Sequence, residues 1–135
     1  MKRSIFLTIM CVLVGYCYAQ VGAPESRNQS APKETVVFDK IEHDFGTVSE
    51  SGGVVEFEFV FKNTGNEPII LTRVQPGCGC TAADYTKEPI APGKKGFVKV
   101  SYDPKGRKSA FTNNVTVYTN GNPERITLKI KGDIK

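Results

Sequence analysis

Tryptophan is absent, histidine occurs once as His43, and both methionines fall within the first ten residues. Without tryptophan, and with Cys78 and Cys80 only two positions apart, the chain lacks the packed tryptophan and inter-sheet disulfide of antibody domains. One histidine and no later methionine leave too few ligands for a closed four-coordinate zinc site. No Gly-x-Ser-x-Gly turn is present, nor any glycine-rich phosphate loop, which removes the usual hydrolase elbow and nucleotide cradle. A strong excess of one charge is missing too. Lys and Arg number 18 against 14 Asp and Glu, giving +4. No nucleic-acid motif accompanies that modest balance, so nucleic acid is not an expected partner. No segment carries the period of an amphipathic helix.

What is present begins with a leader. Met1, Lys2 and Arg3 precede an apolar run from Ile5 to Val14, and Cys17-Tyr18-Ala19 ends it before Gln20. A basic start, a short apolar middle and a small final residue make a secretory signal peptide, with cleavage expected after Ala19. The run is too short to span a bilayer, so no membrane span is expected after cleavage. Lipid attachment at Cys11 or Cys17 fits poorly, because the bulky Tyr16 stands directly before Cys17. Loss of Lys2 and Arg3 leaves 16 basic residues against 14 acidic ones, or +2. Residues 20–34 then run through Gly, Ala, Pro, Ser, Asn and Gln with little to bury, the composition of a flexible spacer.

From residue 35 the pattern is that of strands. Val55, Phe57, Phe59 and Phe61 alternate with Glu56, Glu58 and Lys62, so one face of this strand is apolar and the other polar. Phenylalanines along a single face require a second layer, since burial stabilises each ring by about 2–3 kcal/mol. Thr35 to Val48 reads as one edge strand broken near Glu42 and Gly46. Asn63-Thr64-Gly65-Asn66 ends the phenylalanine strand with turn residues. Pro68 to Val74 opens the next strand, with Ile69, Leu71 and Val74 inward. The glycines and proline of Pro76-Gly77-Cys78-Gly79-Cys80 place the cysteines in or beside a tight turn. Val98, Val100 and Tyr102 point inward from the following strand, as do Phe111, Val115 and Val117, then Ile126, Leu128 and Ile130. Asn120-Gly121 between the last two strands signals a hairpin turn with positive φ. About seven short strands with turns between them predict an all-β, immunoglobulin-like Greek-key β-sandwich over residues 35–135, a single domain.

His43-Asp44-Phe45-Gly46, Phe57-Glu58-Phe59, Asn63-Thr64-Gly65, Cys78-Gly79-Cys80-Thr81, Pro92-Gly93 and Thr119-Asn120 occur in an order and spacing that resemble a widespread bacterial secreted family, domain of unknown function 1573. The resemblance covers the chain beyond the spacer. It implies a fold related to immunoglobulin-like modules of chaperones and cytoskeletal adaptors, and a periplasmic or extracellular location. It implies no activity. Many such proteins carry a lipid-attachment box or further domains, which this sequence does not display.

Cys78 and Cys80 are the sharpest chemical feature. Cysteines two apart reach disulfide range only if the backbone folds tightly, which Gly79 permits, and an exporting compartment favours the oxidised pair. Two free thiols, a Cu(I) or zinc thiolate site, and disulfide exchange are the alternatives at these same residues. No metal or other cofactor is otherwise expected, copper being the alternative. His43 and Asp44 are neighbours on a strand and face opposite ways, so they brace an edge bend rather than form part of a catalytic triad. Glu56 and Glu58 share an outward face and serve solubility. Lys94, Lys95, Lys99, Lys105, Arg107 and Lys108 form the densest basic region, read as a solvated strand edge. No catalytic residue is assigned. The sequence therefore predicts a non-catalytic envelope module, monomeric or weakly dimeric, binding an envelope protein or polysaccharide through loops or a sheet edge.

Overall fold

The structure, a computed structural model, describes residues 33–135. The leader with its cleavage after Ala19, the question of lipid at Cys17, and residues 20–32 of the spacer lie outside the described residues. Eight strands run in chain order: β1 (Val36–Phe38), β2 (Glu42–Val48), β3 (Val55–Asn63), β4 (Leu71–Pro76), β5 (Thr81–Tyr85), β6 (Lys95–Tyr102), β7 (Ser109–Thr119) and β8 (Arg125–Ile134). They form two four-stranded sheets, β1-β3-β6-β5 and β2-β8-β7-β4. Among the described residues there is no helix. This strand order is that of an immunoglobulin-like Greek-key sandwich, with the first strand divided between the sheets.

The division corrects the expectation of one broken edge strand. β1 pairs antiparallel with β3, whereas β2 lies parallel to β8 in the other sheet. Crossing takes place over residues 39–41, where Asp39 N–H still donates to Val60 O and Ile41 O already accepts from Lys129 N–H. Ile41 is 56% exposed as a result. A chain that steps from one layer to the other cannot keep a single face buried, and the alternation lapses there.

Alternation elsewhere translates directly into packing. Phe59 and Phe61 are buried, as are Val98, Val100, Tyr102, Val115, Val117, Leu128 and Ile130. Phe57, Phe111 and Ile126 pack against this core at its margin. β4 begins at Leu71 rather than Pro68, and Ile69 instead makes a lone bridge with Ile90. The hairpin between β7 and β8 exists, yet neither Asn120 nor Gly121 takes a positive φ. Asn120 is drawn toward the β3–β4 loop, accepting from Ile70 N–H (2.7 Å) and donating to Pro68 O (3.1 Å). Gly121 is needed for close approach, since a Cβ there would stand 2.5 Å from Ile69 Cδ1. The docking of this loop onto its neighbour overrides the local turn preference.

Asn63, read from sequence as a turn residue, closes β3 with no solvent exposure. Its amide donates to Glu67 O (2.7 Å) and Ile90 O (2.8 Å), and its carbonyl accepts from Gly65 N–H (2.9 Å). One side chain thus ties together the β3–β4 and β5–β6 loops. Removing it strands several polar groups, each worth about 1–3 kcal/mol when left buried and unpaired. Asn63→Ala is expected to destabilise the domain by about 2–4 kcal/mol in urea unfolding. A change below about 0.5 kcal/mol would show that water replaces the amide freely.

Candidate functional site

β2 carries the His43-Asp44-Phe45-Gly46 segment, and the alternation of the strand sends His43 and Phe45 inward with Asp44 outward. The His43 ring stacks on Phe57 of the opposite sheet (centroids 3.7 Å, 9° between planes) and meets Phe45 edge-on at 4.6 Å. Asp44 Oδ1 accepts from Gly46 N–H (2.7 Å), and Oδ2 lies 4.0 Å from Lys131 Nζ. Gly46 holds φ +67° where the pairing with β8 shifts between Asp44 and Thr47. A left-handed residue at a bulge suits glycine, and the aspartate caps its amide. The pair braces the bend, as the side-chain directions imply. Burial, and then the charge of Lys40, hold the His43 imidazole below its ordinary value, while Asp44 opposes them.

The second feature is the end of the sandwich where β2, β4, β6 and β8 finish. Three loops meet there: residues 49–54, 77–80 and 103–108. Cys78 and Cys80 are joined, with Sγ atoms 2.07 Å apart and Cα atoms 5.3 Å apart. Gly79 between them does so without a positive φ. The turn that carries them passes from β4 in one sheet to β5 in the other. It is fixed at three points by backbone bonds: Gly77 N–H to Asn114 O (2.8 Å), Thr81 N–H to Cys78 O (3.1 Å) and Asp103 N–H to Cys80 O (3.1 Å). Closing so short a loop removes little freedom from the unfolded chain, so the bridge contributes below about 2 kcal/mol.

Polar side chains converge on the sulfur of Cys80. Asn113 Nδ2, reaching over from β7, lies 3.6 Å from Cys80 Sγ and donates to Thr81 Oγ1 at 3.2 Å. Cys80 N–H in turn points at Cys78 Sγ (3.2 Å). Beside Cys80 lies an open cleft of about 360 Å³ walled by Val54, Ala82, Ser101, Lys105 and Arg107. A larger hollow of about 700 Å³ shares Val54, Asp103 and Lys105 with it and extends to Glu50 and Ser51. Val54 is 55% exposed. Neither Lys105 nor Arg107 forms an ion pair among the described residues.

These positions revise the reading of the basic region. Lys94 and Lys95 lie at one end of β6 and Lys105 to Lys108 beyond the other, so the six residues do not form one patch. β6 is an inner strand, so its lysines guard no sheet edge. Lys99 sits 3.9 Å from Glu56, which also accepts from Ser101 Oγ (3.0 Å) on the outer face. Sequence reasoning did not single out Val54, Asn113, Lys105 and Arg107 as a group. Val54, Lys105 and Arg107 lie in loops and Asn113 inside β7, so they share no sequence signal, and the sheet topology brings them together. A thiolate metal site at Cys78 and Cys80 requires the bridge to be reduced first, and among the described residues no three His, Cys, Asp or Glu side chains cluster as ligands.

Because the folded state disfavours protonated His43, the unfolded chain binds more protons and stability falls with falling pH. The contribution is whole above the unfolded value of 6.5 and declines as pH drops from there through the lower folded value. Melting temperature is expected to decrease over that window, before the carboxylates titrate, and His43→Gln is expected to flatten the decrease. An imidazole titration by NMR that places His43 at or above 6.5 would contradict the burial argument.

A search of curated proteins finds no match. Among solved structures, the chain resembles a protein of unknown function from Porphyromonas gingivalis W83 (TM-score 0.64, 17% identity, 78% of this chain and 51% of that one). It also resembles the VesB protease of Vibrio cholerae (TM-score 0.61, 17% identity, 73% of this chain and 32% of that one). A third likeness is to the ASH/PapD-like domain 7 of human CEP192 (TM-score 0.62, 12% identity, 84% of this chain and 95% of that one). This chain therefore spans about half of the first protein and a third of the second. At such identities the likeness establishes the fold, a sandwich of the PapD-like and immunoglobulin-like kind. Within that fold the family is fixed by sequence: residues 36–134 match the model described as protein of unknown function DUF1573, and the chain belongs to that family.

Proposed function

We propose that this chain is a non-catalytic module of the bacterial envelope, exported by its leader, which binds an envelope protein through the loops at the disulfide end. One observation carries the reading. Val54 stands 55% exposed between two adjoining hollows, with Lys105 and Arg107 on their walls and no acidic partner for either cation. An exposed aliphatic side chain ringed by unpaired charge is the makeup of a small docking site, with an apolar centre and a polar rim.

The sheet edges support the same end. β1 is only three residues long, and its Val36 N–H is taken by Asn122 O. β2 is bulged, and its Glu42 pairs with Lys131 at 2.7 Å. β4 is interrupted by a register shift and closes at Pro76. β5 is the regular edge, and its Ala82 borders the cleft beside Val54. An extended segment of a partner could pair with β5 while seating a side chain against Val54. Against catalysis stands His43, enclosed by Phe45 and Phe57 with Asp44 turned away from it.

A photo-crosslinking residue at position 54 of the full chain, expressed in the source bacterium, tests this. Position 54 is expected to yield one protein adduct in the envelope fraction that the outer-face position 58 does not. Lys105→Glu with Arg107→Glu is expected to abolish it. Identical products from both positions, or an adduct that proves to be polysaccharide, would overturn the proposal.

A further inference from the structure

The Cys78–Cys80 bridge is placed for chemistry that the fold does not need from it. Its turn is already anchored by the three backbone bonds at Gly77, Thr81 and Asp103. Spanning a single residue, it restricts the unfolded chain little. Both sulfurs nevertheless have dedicated donors. Cys78 Sγ faces the amide of Cys80 at 3.2 Å, and Cys80 Sγ faces Asn113 Nδ2 at 3.6 Å. Asn113 is held in place by its strand, in register with Ile130 of β8, rather than by the turn itself. A donor aimed at sulfur favours the thiolate over the thiol, and of the charged residues lining the cleft Lys105 and Arg107 act in the same direction and Asp103 against it. Cys80 is the one of the two cysteines that borders the cleft of Lys105 and Arg107, and it also packs against the margin of the core.

We infer that Cys78 and Cys80 form a thiol–disulfide exchange site whose substrate class is protein dithiols and disulfides. This goes beyond the docking role and does not rest on it. In the oxidising direction, a thiolate of the partner dithiol attacks Cys80 Sγ from the cleft. The Cys78–Cys80 bond breaks, and its electron pair goes to Cys78 Sγ, where the Cys80 N–H receives the developing charge. The partner's second thiolate then attacks the partner sulfur of the mixed disulfide and releases Cys80 as a thiolate beside Asn113. The partner is oxidised to a disulfide. Cys78 and Cys80 are reduced, and the two protons lost by the partner thiols balance the two thiols formed here. A protein disulfide returns the pair to its oxidised form by the reverse steps.

The test uses the purified full chain in buffers of reduced and oxidised glutathione, with alkylation, peptide mapping and far-UV circular dichroism at each point. The native protein is expected to take up glutathione at Cys80, and its dichroism to stay unchanged through full reduction. Asn113→Ala is expected to shift the equilibrium toward the bridged form by roughly threefold or more. Lys105→Glu with Arg107→Glu is expected to slow attack by anionic glutathione about tenfold. Neither shift would follow if the bridge were only a staple. A bridge that opens only after unfolding, an adduct confined to Cys78, or rates and equilibria untouched by both variants would overturn the inference.

Discussion

A row of aromatic rings passed between the two sheets is the interaction on which the rest of this structure depends. Phe59 meets Phe57 edge-on at 4.9 Å, Phe57 stacks on His43, His43 meets Phe45, Phe45 lies 6.4 Å from Phe111, and Phe111 stacks on Tyr102 at 3.9 Å. Phe57, Phe59 and Tyr102 come from one sheet, and His43, Phe45 and Phe111 from the other. A small domain without tryptophan thus spreads its sheet-to-sheet contact over several smaller rings.

That row gives the first strand its unusual course. To bring His43 and Phe45 against Phe57, the chain must leave β1 and enter the second sheet, and the bulge at Gly46 then lets β2 follow β8 to Val48. β2 therefore delivers the 49–54 loop to the same end as the 77–80 turn and the 103–108 loop. Tyr102 closes the row at the disulfide end, in register with Thr81, the residue after Cys80. The packing of the core and the placement of the disulfide end are one arrangement seen from two sides. Local geometry there is tight as well, since Ser109 leaves the 103–108 loop at φ +91°, a region that non-glycine residues seldom occupy.

Much of this was legible in the chain because a period of two is a direct record of burial. Val98, Val100 and Tyr102, or Leu128 and Ile130, cannot alternate with lysine and threonine for another reason over so many positions. The immunoglobulin-like class followed, and the opposed directions of His43 and Asp44 followed with it. The stacking of His43 on Phe57 did not, because it depends on which sheet β2 joins. Nothing local in Asp39-Lys40-Ile41 states that choice. Asn63 looked like a turn residue because its neighbours are, and only the distant carbonyl of Ile90 makes it a buried tie. Asn120-Gly121 misled in the same way, since a preference in isolation yielded to contacts with residues 68–70. The cluster around Cys80 draws on β5, β6, β7 and three loops, and is a product of topology.

For a member of a family without an assigned activity, the framework separates what supports the fold from the surface we propose for a partner. The aromatic row belongs to the first, and the disulfide end with Val54, Lys105 and Arg107 is the proposed second. The most direct test of this division is a double-mutant cycle between His43 and Phe57, measured by urea unfolding of His43→Ala, Phe57→Ala and the pair. A ring stack across two sheets predicts a coupling of about 0.5–1.5 kcal/mol beyond the single losses. Additivity within about 0.3 kcal/mol would mean that the two sheets are not joined through these rings, and would contradict the account.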